Sequence, residues 1–359
     1  MSISQKKFGV TKNGSEASLY TLTNKNGMKV TVSDFGAVIV SIIAPDKDGR
    51  FDDVVLGYDR LSDYETNSSG YGSFIGRVAN RISNASITIA GIKYPLEKND
   101  GNNCLHSGSV SYNKFMYEHE FYDDGEESGI EFSRLSSDGE QGFPGSLDVS
   151  VTYTLTDDNE LVIEYFAAAG ADTVLNFTNH SYFNLGGQAS GRDSVMNEIL
   201  TINADRFTPT DDALIPTGEM CDVTGTPMDF RAGKPIGADI DADYKPLKQG
   251  KGYDHNYVLN HTEFGSTEKV AEIEDPKTGR CMEVFTDLPG MQLYTANCLD
   301  DTEDCKGGIH YQKRGAVCFE TQFFPNTVNT PAFKNFSGGF VEKGGQFEST
   351  TIYKFSVKN

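Results

Sequence analysis

Residues 176–185, NFTNHSYFNL, alternate as a β-strand does. One row is Leu175, Phe177, Asn179, Ser181, Phe183 and Leu185, apolar at four of six positions and predicted to face a core. The other row is Asn176, Thr178, His180, Tyr182 and Asn184, hydrogen-bonding groups that include an imidazole able to exchange a proton near neutrality. Such a row needs either water or a hydroxyl-rich ligand against it.

The same short-period pattern recurs on both sides of this stretch. MKVTVSDFGAVIVSIIA, ASITIAGIKYPL, LDVSVTYTLT, NELVIEYFAAA, CMEVFTD, GAVCFETQFF and TTIYKFSV read as strands, separated by turn clusters such as PDKDGR, TDDNE and DPKTGR. Sustained apolar stripes at helical spacing are scarce, and ADIDADYKPLKQG is too polar and proline-broken to form one. The fold class is therefore all-β with little helix. The 359 residues would allow two domains, but no repeat and no proline- or serine-rich linker divides the chain, and large all-β folds often stay single. The irregular stretch 186–257 is read as excursions from one sheet system, so residues 1–359 are expected to form one domain.

Thirty-one Lys and Arg face 52 Asp and Glu, a formal charge of -21, which repels nucleic acid and anionic membranes and favours a neutral small-molecule partner. No run of about 18 apolar residues is present and MSISQKKFGV lacks an apolar signal core, so a soluble, cytoplasmic protein is expected. Cys104, Cys221, Cys281, Cys298, Cys305 and Cys318 are then reduced thiols; no CxxC occurs and no histidine sits at zinc-ligand spacing. The glycosylation-like triplets at Asn67 and Asn84 carry no weight in such a protein.

Several residues could do chemistry, each with a plainer reading beside it. His180 is either a satisfied structural histidine or a proton donor. Glu320 enters the apolar run GAVCFETQFF on one face with Cys318 and Gln322; it is either a buried ion-pair member or a carboxylate raised in pKa and suited to act as a base. GRVANRIS places Arg77 and Arg81 four apart around Asn80, a pair that commonly decorates a surface, and GNNCLHSGS puts His106 in a glycine-rich turn where a histidine is ordinarily exposed. Asp254 in GYDHNYVL could cap a turn, and Gln292 in LPGMQLYTAN could be a surface residue. GxGxxG, the P-loop and GxSxG are all absent, so proton transfers on a polyhydroxy compound fit the residues present.

GRVANRI, NNCLH, NHSYFNL, GYDHNYVL, LPGMQLYTAN and ETQFFPNTVN, in this order between residues 76 and 330, resemble the aldose 1-epimerases, or galactose mutarotases. The resemblance implies a large antiparallel β-sandwich whose concave face, lined by the polar row of 176–184, holds an aldohexose with no metal or organic cofactor, in a monomer or homodimer. By motif, Glu320 is similar to the family's general base and His180 to its general acid. Asn80, Arg81, His106, Asp254 and Gln292 fall where the sugar hydroxyls are held, Ser181 and Tyr182 extend the site, and Arg77 supports it from behind. The run after His106, HSGSVSYNKFMY, departs from the family pattern, and with no Trp in the chain any sugar stacking must use Phe or Tyr. A non-catalytic sugar-binding protein, a glycoside-cleaving enzyme using Glu320 and Asp254, and a hexose-phosphate epimerase are the rival readings.

Overall fold

The computed structural model describes residues 2–66, 69–123, 128–263, 265–300, 304–336 and 338–358; Asn67 lies outside them. Strands dominate, and the three α-helices among the described residues, Leu61–Thr66, Gly191–Asn197 and Lys245–Gly250, are each two turns or shorter. None is long and apolar enough to cross a membrane. None of the six cysteines is in a disulfide.

A nine-stranded antiparallel sheet forms one layer, with Glu160–Ala169, Gln346–Val357 and Arg280–Thr286 adjacent at its centre. Glu160–Ala169 shows why it forms: Leu161, Ile163, Tyr165, Ala167 and Ala169 alternate with half-buried or exposed residues, so one face goes to the core. Two five-stranded sheets pack against this face. One is an N-terminal meander from Ser2–Val10 to Phe51–Asp53; the other orders Cys221–Asp222, Arg206–Phe207, Asp254–Val258, Gly290–Tyr294 and Cys318–Gln322. A single apolar cluster running from Tyr20 to Phe355 fills the space between the layers. The irregular stretch 186–257 hands Ile199–Ile202 and Lys234–Pro235 to the large sheet and Arg206–Phe207 and Cys221–Asp222 to the small one.

NFTNHSYFNL differs from its predicted form. Only Thr178–His180 is a regular strand, paired with Ser73–Ile75, and all ten residues are buried. The segment lies edge to edge between Cys318–Gln322 on one side and residues of the 54–79 stretch on the other, and neither of its rows is exposed. The polar row therefore does not line a cleft as a whole. Asn176 clasps the backbone of Phe323, accepting its N–H at 2.8 Å and donating to its carbonyl at 3.1 Å, and Asn184 donates to the carbonyls of Gly191 and Gly315. These two amides satisfy backbone groups that burial would otherwise orphan.

Arg77 is fully buried, and its guanidinium donates to the carbonyls of Pro144, Gly145, Ser136 and Ser137 and to the hydroxyls of Ser136 and Thr173. Its backbone carbonyl accepts the Asn176 N–H at 2.9 Å. Arg77 thus ties the loop 136–145 to its own segment, which carries Asn80, and to the segment carrying Asn176, and its contacts are all with the fold. Arg77→Leu leaves several buried acceptors without a donor and is expected to lower unfolding stability by at least about 3 kcal/mol, read from urea denaturation.

Candidate acid/base site

The small sheet builds the site by register. Asn256 pairs with Gln292 and Gln292 with Glu320; in the neighbouring row Asp254 pairs with Tyr294 and Tyr294 with Cys318. Strand alternation puts Asp254, Asn256, Gln292, Tyr294, Cys318, Glu320 and Gln322 on one face. His255, Tyr257, Met291, Leu293, Phe319 and Thr321 occupy the other, against the large sheet, where Tyr353 donates to the Phe319 carbonyl at 2.9 Å.

The His180 segment lies along the free edge of Cys318–Gln322. Phe183 and Val317 exchange backbone hydrogen bonds of 2.8 and 2.9 Å at one end, and Asn176 clasps Phe323 at the other. Counting back three residues from Phe183 and forward three from Val317 sets His180 opposite Glu320, with Nε2 and Oε1 3.7 Å apart. That spacing is too long for a hydrogen bond, so the two groups face each other unbonded.

Both are held almost out of water, at 6% exposure for His180 and 2% for Glu320. Burial pushes the Glu320 carboxyl well above its ordinary range, with Asp254 adding to the rise and Arg81 opposing it. Burial lowers His180 to about 4. Both shifts favour the uncharged forms, a carboxylic acid facing a neutral imidazole.

The turn holding Asn80 and His106 closes the other side. Both have positive φ, 59° and 49°, and they bond reciprocally: the His106 N–H donates to the Asn80 carbonyl at 3.0 Å, and the Asn80 N–H to His106 Nδ1 at 3.1 Å. Burial, with His180 and Arg81 contributing, holds His106 well below its usual pKa. A neutral ring whose Nδ1 accepts a bond must carry its proton on Nε2. His106 therefore presents a donor, and its ring centre lies 5.4 Å from that of His180.

Arg81 is oriented by Asp100 at 2.8 Å. Gln292, only 4% exposed rather than a surface residue, donates to Asp254 at 2.6 Å, and burial raises the Asp254 carboxyl. Tyr182 stacks on His180, with ring centres 4.9 Å apart and planes 20° apart, while its hydroxyl donates to the Ser69 carbonyl at 2.8 Å. The Ser181 hydroxyl is taken up by Asn179 at 2.6 Å, so Ser181 fixes the local turn. Tyr294 stands edge-on to His180 and Tyr182 at 6.1 Å from each and, being partly exposed, supplies the aromatic wall. Sequence reading left Asn256 and Tyr294 unassigned, although each lies two residues from an assigned one on the same strand face.

Ligand atoms of His106, His180 and Glu320 lie within 4.8 Å of one another, close enough to raise the question of a metal ion. The donor set does not fit one. A metal-binding imidazole donates through its other nitrogen, whereas His106 Nδ1 accepts from Asn80, leaving Nε2 without a lone pair for the metal.

Fold and site together define an all-β scaffold with a dry carboxyl–imidazole pair surrounded by hydrogen-bonding side chains. The aldose 1-epimerase family model matches residues 18–354. Galactose mutarotase from Bos taurus is 40% identical over 340 residues, covering 92% of each chain, and aldose 1-epimerase from Haemophilus influenzae is 38% identical over 344 residues, covering 95% of this chain and 96% of that one. Among solved structures, the aldose epimerase homologue from C. elegans superposes with a TM-score of 0.84 at 31% identity, covering 96% of this chain and 100% of that one. Galactose 1-epimerase from Lactobacillus acidophilus does so with 0.86 at 25% identity, covering 100% and 99%. The chain belongs to the aldose 1-epimerase family.

The His106 tautomer is directly measurable. Two-bond nitrogen–proton NMR correlations on 15N-histidine protein are expected to show a neutral ring protonated at Nε2 that titrates only well below the ordinary histidine range; an Nδ1-protonated ring, or one titrating in the ordinary range, contradicts the assignment.

Proposed function

We propose that this site interconverts the α and β anomers of a free aldohexose, galactose or glucose, by opening and closing the pyranose ring. The observation that carries the reading is the facing of Glu320 and His180 at 3.7 Å in a buried site. The anomeric carbon bears two oxygens, the hydroxyl O1 and the ring oxygen. Ring opening requires a proton to leave the first and one to reach the second.

Starting from carboxylate and imidazolium, Glu320 takes the O1 proton while His180 delivers its own to the ring oxygen, and the bond between C1 and that oxygen breaks. The products are an open-chain aldehyde, a carboxylic acid and a neutral imidazole. Rotation about C1–C2 turns the other carbonyl face inward, and the two transfers reverse to close the opposite anomer. The neutral pair that burial favours in the free site is the one that accompanies the open-chain sugar. The site is thus arranged for the state reached on ring opening. Positioned acid and base groups each contribute roughly two to four decades in rate.

The remaining assignments follow from which polar groups converge on the pair. Arg81, His106, Asp254 and Gln292 present oriented donors and acceptors to sugar hydroxyls, and Asn80 sets the His106 tautomer. Tyr182 holds the plane of the His180 ring, and the Tyr294 wall supports a sugar face in a chain without Trp.

Polarimetry on freshly dissolved α-D-galactose and α-D-glucose tests this reading. The protein is expected to accelerate mutarotation, and Glu320→Gln to lower kcat at least about 100-fold with the fold retained. Binding of hexose without acceleration contradicts the reading in favour of a binding protein, and release of reducing ends from a glycoside in favour of hydrolysis. The pH dependence has a definite sign. The pair of carboxylic acid and neutral imidazole exists above the His180 value of about 4 and below the raised Glu320 value, so kcat/KM is expected to show no acid limb near 6.5 and to fall only as pH approaches 4. A folded-state pKa raised above the unfolded one gives stability that is lost as pH rises through it, so Glu320→Gln is also expected to melt above the wild type at alkaline pH.

A further inference from the structure

Beside the catalytic row lies a set of buried polar groups that the reaction as written does not use. Asn256 is 2% exposed and Gln322 is fully buried, yet neither end of either amide has a hydrogen-bond partner among the described residues. Thr178, which the strand register sets opposite Gln322 as it sets His180 opposite Glu320, carries an unpaired hydroxyl, and Glu320 Oε2 is unpaired as well. Gly290 makes the arrangement possible. It stands between Gln322 and Val258 in the register, and a Cβ there would come within 2.5 Å of Asn256 Oδ1 and 2.8 Å of the Phe324 ring. The missing side chain leaves the Asn256 amide room to lie across the strand toward Gln322.

Leaving four amide ends unpaired inside a rigid sheet is unfavourable unless a partner forms at some stage. The mechanism contains such a stage. A carboxylate at Glu320 in a dry site needs donors, and Oε1 faces a histidine beyond hydrogen-bond distance. Gln322 is two residues along the same strand on the same face, and Asn256 lies in the Glu320 row beyond Gln292.

Resting on the acid/base pair proposed above, we propose that Gln322 and Asn256 are positioning residues whose amide N–H groups turn to the Glu320 carboxylate whenever it is ionised, at the start and end of each turnover. They aim the carboxylate at the O1 hydroxyl and lower the barrier to ring opening without touching the sugar. Donors that favour the ionised form bring the Glu320 proton off at lower pH than burial alone would allow.

The titratable groups facing Glu320 come from several elements. His180 and Tyr182 face it from the segment across the gap, His106 and Arg81 from the neighbouring turn, and Asp254 from two strands away. Both histidines are pushed down, while Tyr182, Cys318 on the same strand and Tyr353 beneath are all pushed up. Asp254 is pushed up as well and adds to the rise of Glu320, so the Glu320 titration is read at its own carboxyl carbon.

Gln322→Met and Asn256→Leu remove the donors at near-constant volume. Since neither amide has a partner in the resting site, both variants are expected to fold with melting temperatures at or above that of the wild type, and either alone suffices for the test. Each is expected to lower kcat about ten- to a hundred-fold at little change in KM, while the alkaline limb of kcat/KM moves to higher pH. Gln322→Asn, which keeps a donor on the strand, should recover part of kcat and return the limb toward wild type. Glu320 is titrated in parallel by carboxyl 13C NMR in sugar-free protein, where the same upward shift is expected whether or not catalysis is observed. An unmoved or lowered Glu320 pKa overturns the inference, as does a rise in KM with kcat intact, which would make the amides sugar contacts. Failure of the wild type itself to accelerate mutarotation counts against the acid/base reading instead.

Discussion

The site depends on how one segment is held against the edge of one strand. Phe183 and Val317 are joined through their backbones, and the Asn176 amide takes the place of a backbone partner at Phe323. Between these two fastenings the chains are not laced together, so His180 and Glu320 can turn their side chains toward each other across a 3.7 Å gap. With no fastening, the segment would be free to shift by a residue, and a one-residue shift turns every side chain to the opposite face.

The second constraint is dryness. A carboxyl and an imidazole, each nearly inaccessible to water, both favour their uncharged forms. In the proposed reaction Glu320 takes one proton from O1 as His180 gives one to the ring oxygen, so the total charge of the protein does not change. The His106 ring, locked by Asn80 into donating from Nε2, and the Asp254 carboxyl held by Gln292 frame the pair with groups of fixed polarity. A preorganised polar frame in a low-dielectric site needs little rearrangement as the ring opens.

Much of this was legible in the sequence, for identifiable reasons. Strands that face a core on one side, such as Glu160–Ala169, print their alternation directly, and the two-residue spacing of Cys318, Glu320 and Gln322 named one site face. What escaped was set by contacts distant along the chain. Asn176 and Asn184 looked like a ligand-facing row because nothing nearby reveals that they serve backbone groups 147 and 131 residues away. From their local stretches alone His106 reads as an exposed loop histidine and Gln292 as a surface amide, and only the family motifs put them at the site, since the layers around them come from other parts of the sequence. Asn256 was missed although Asp254 beside it was not, because the room it occupies is created by Gly290 on the next strand.

The claim that the fastening at Asn176 sets the catalytic pair is tested most directly by the mutarotation rate of Asn176→Leu, a substitution more than one strand step away from either reacting group. A folded variant with kcat lowered at least about tenfold, and with hexose affinity retained, is what the account predicts. A folded variant turning over at the wild-type rate would contradict it, because His180 and Glu320 would then meet correctly without the clasp.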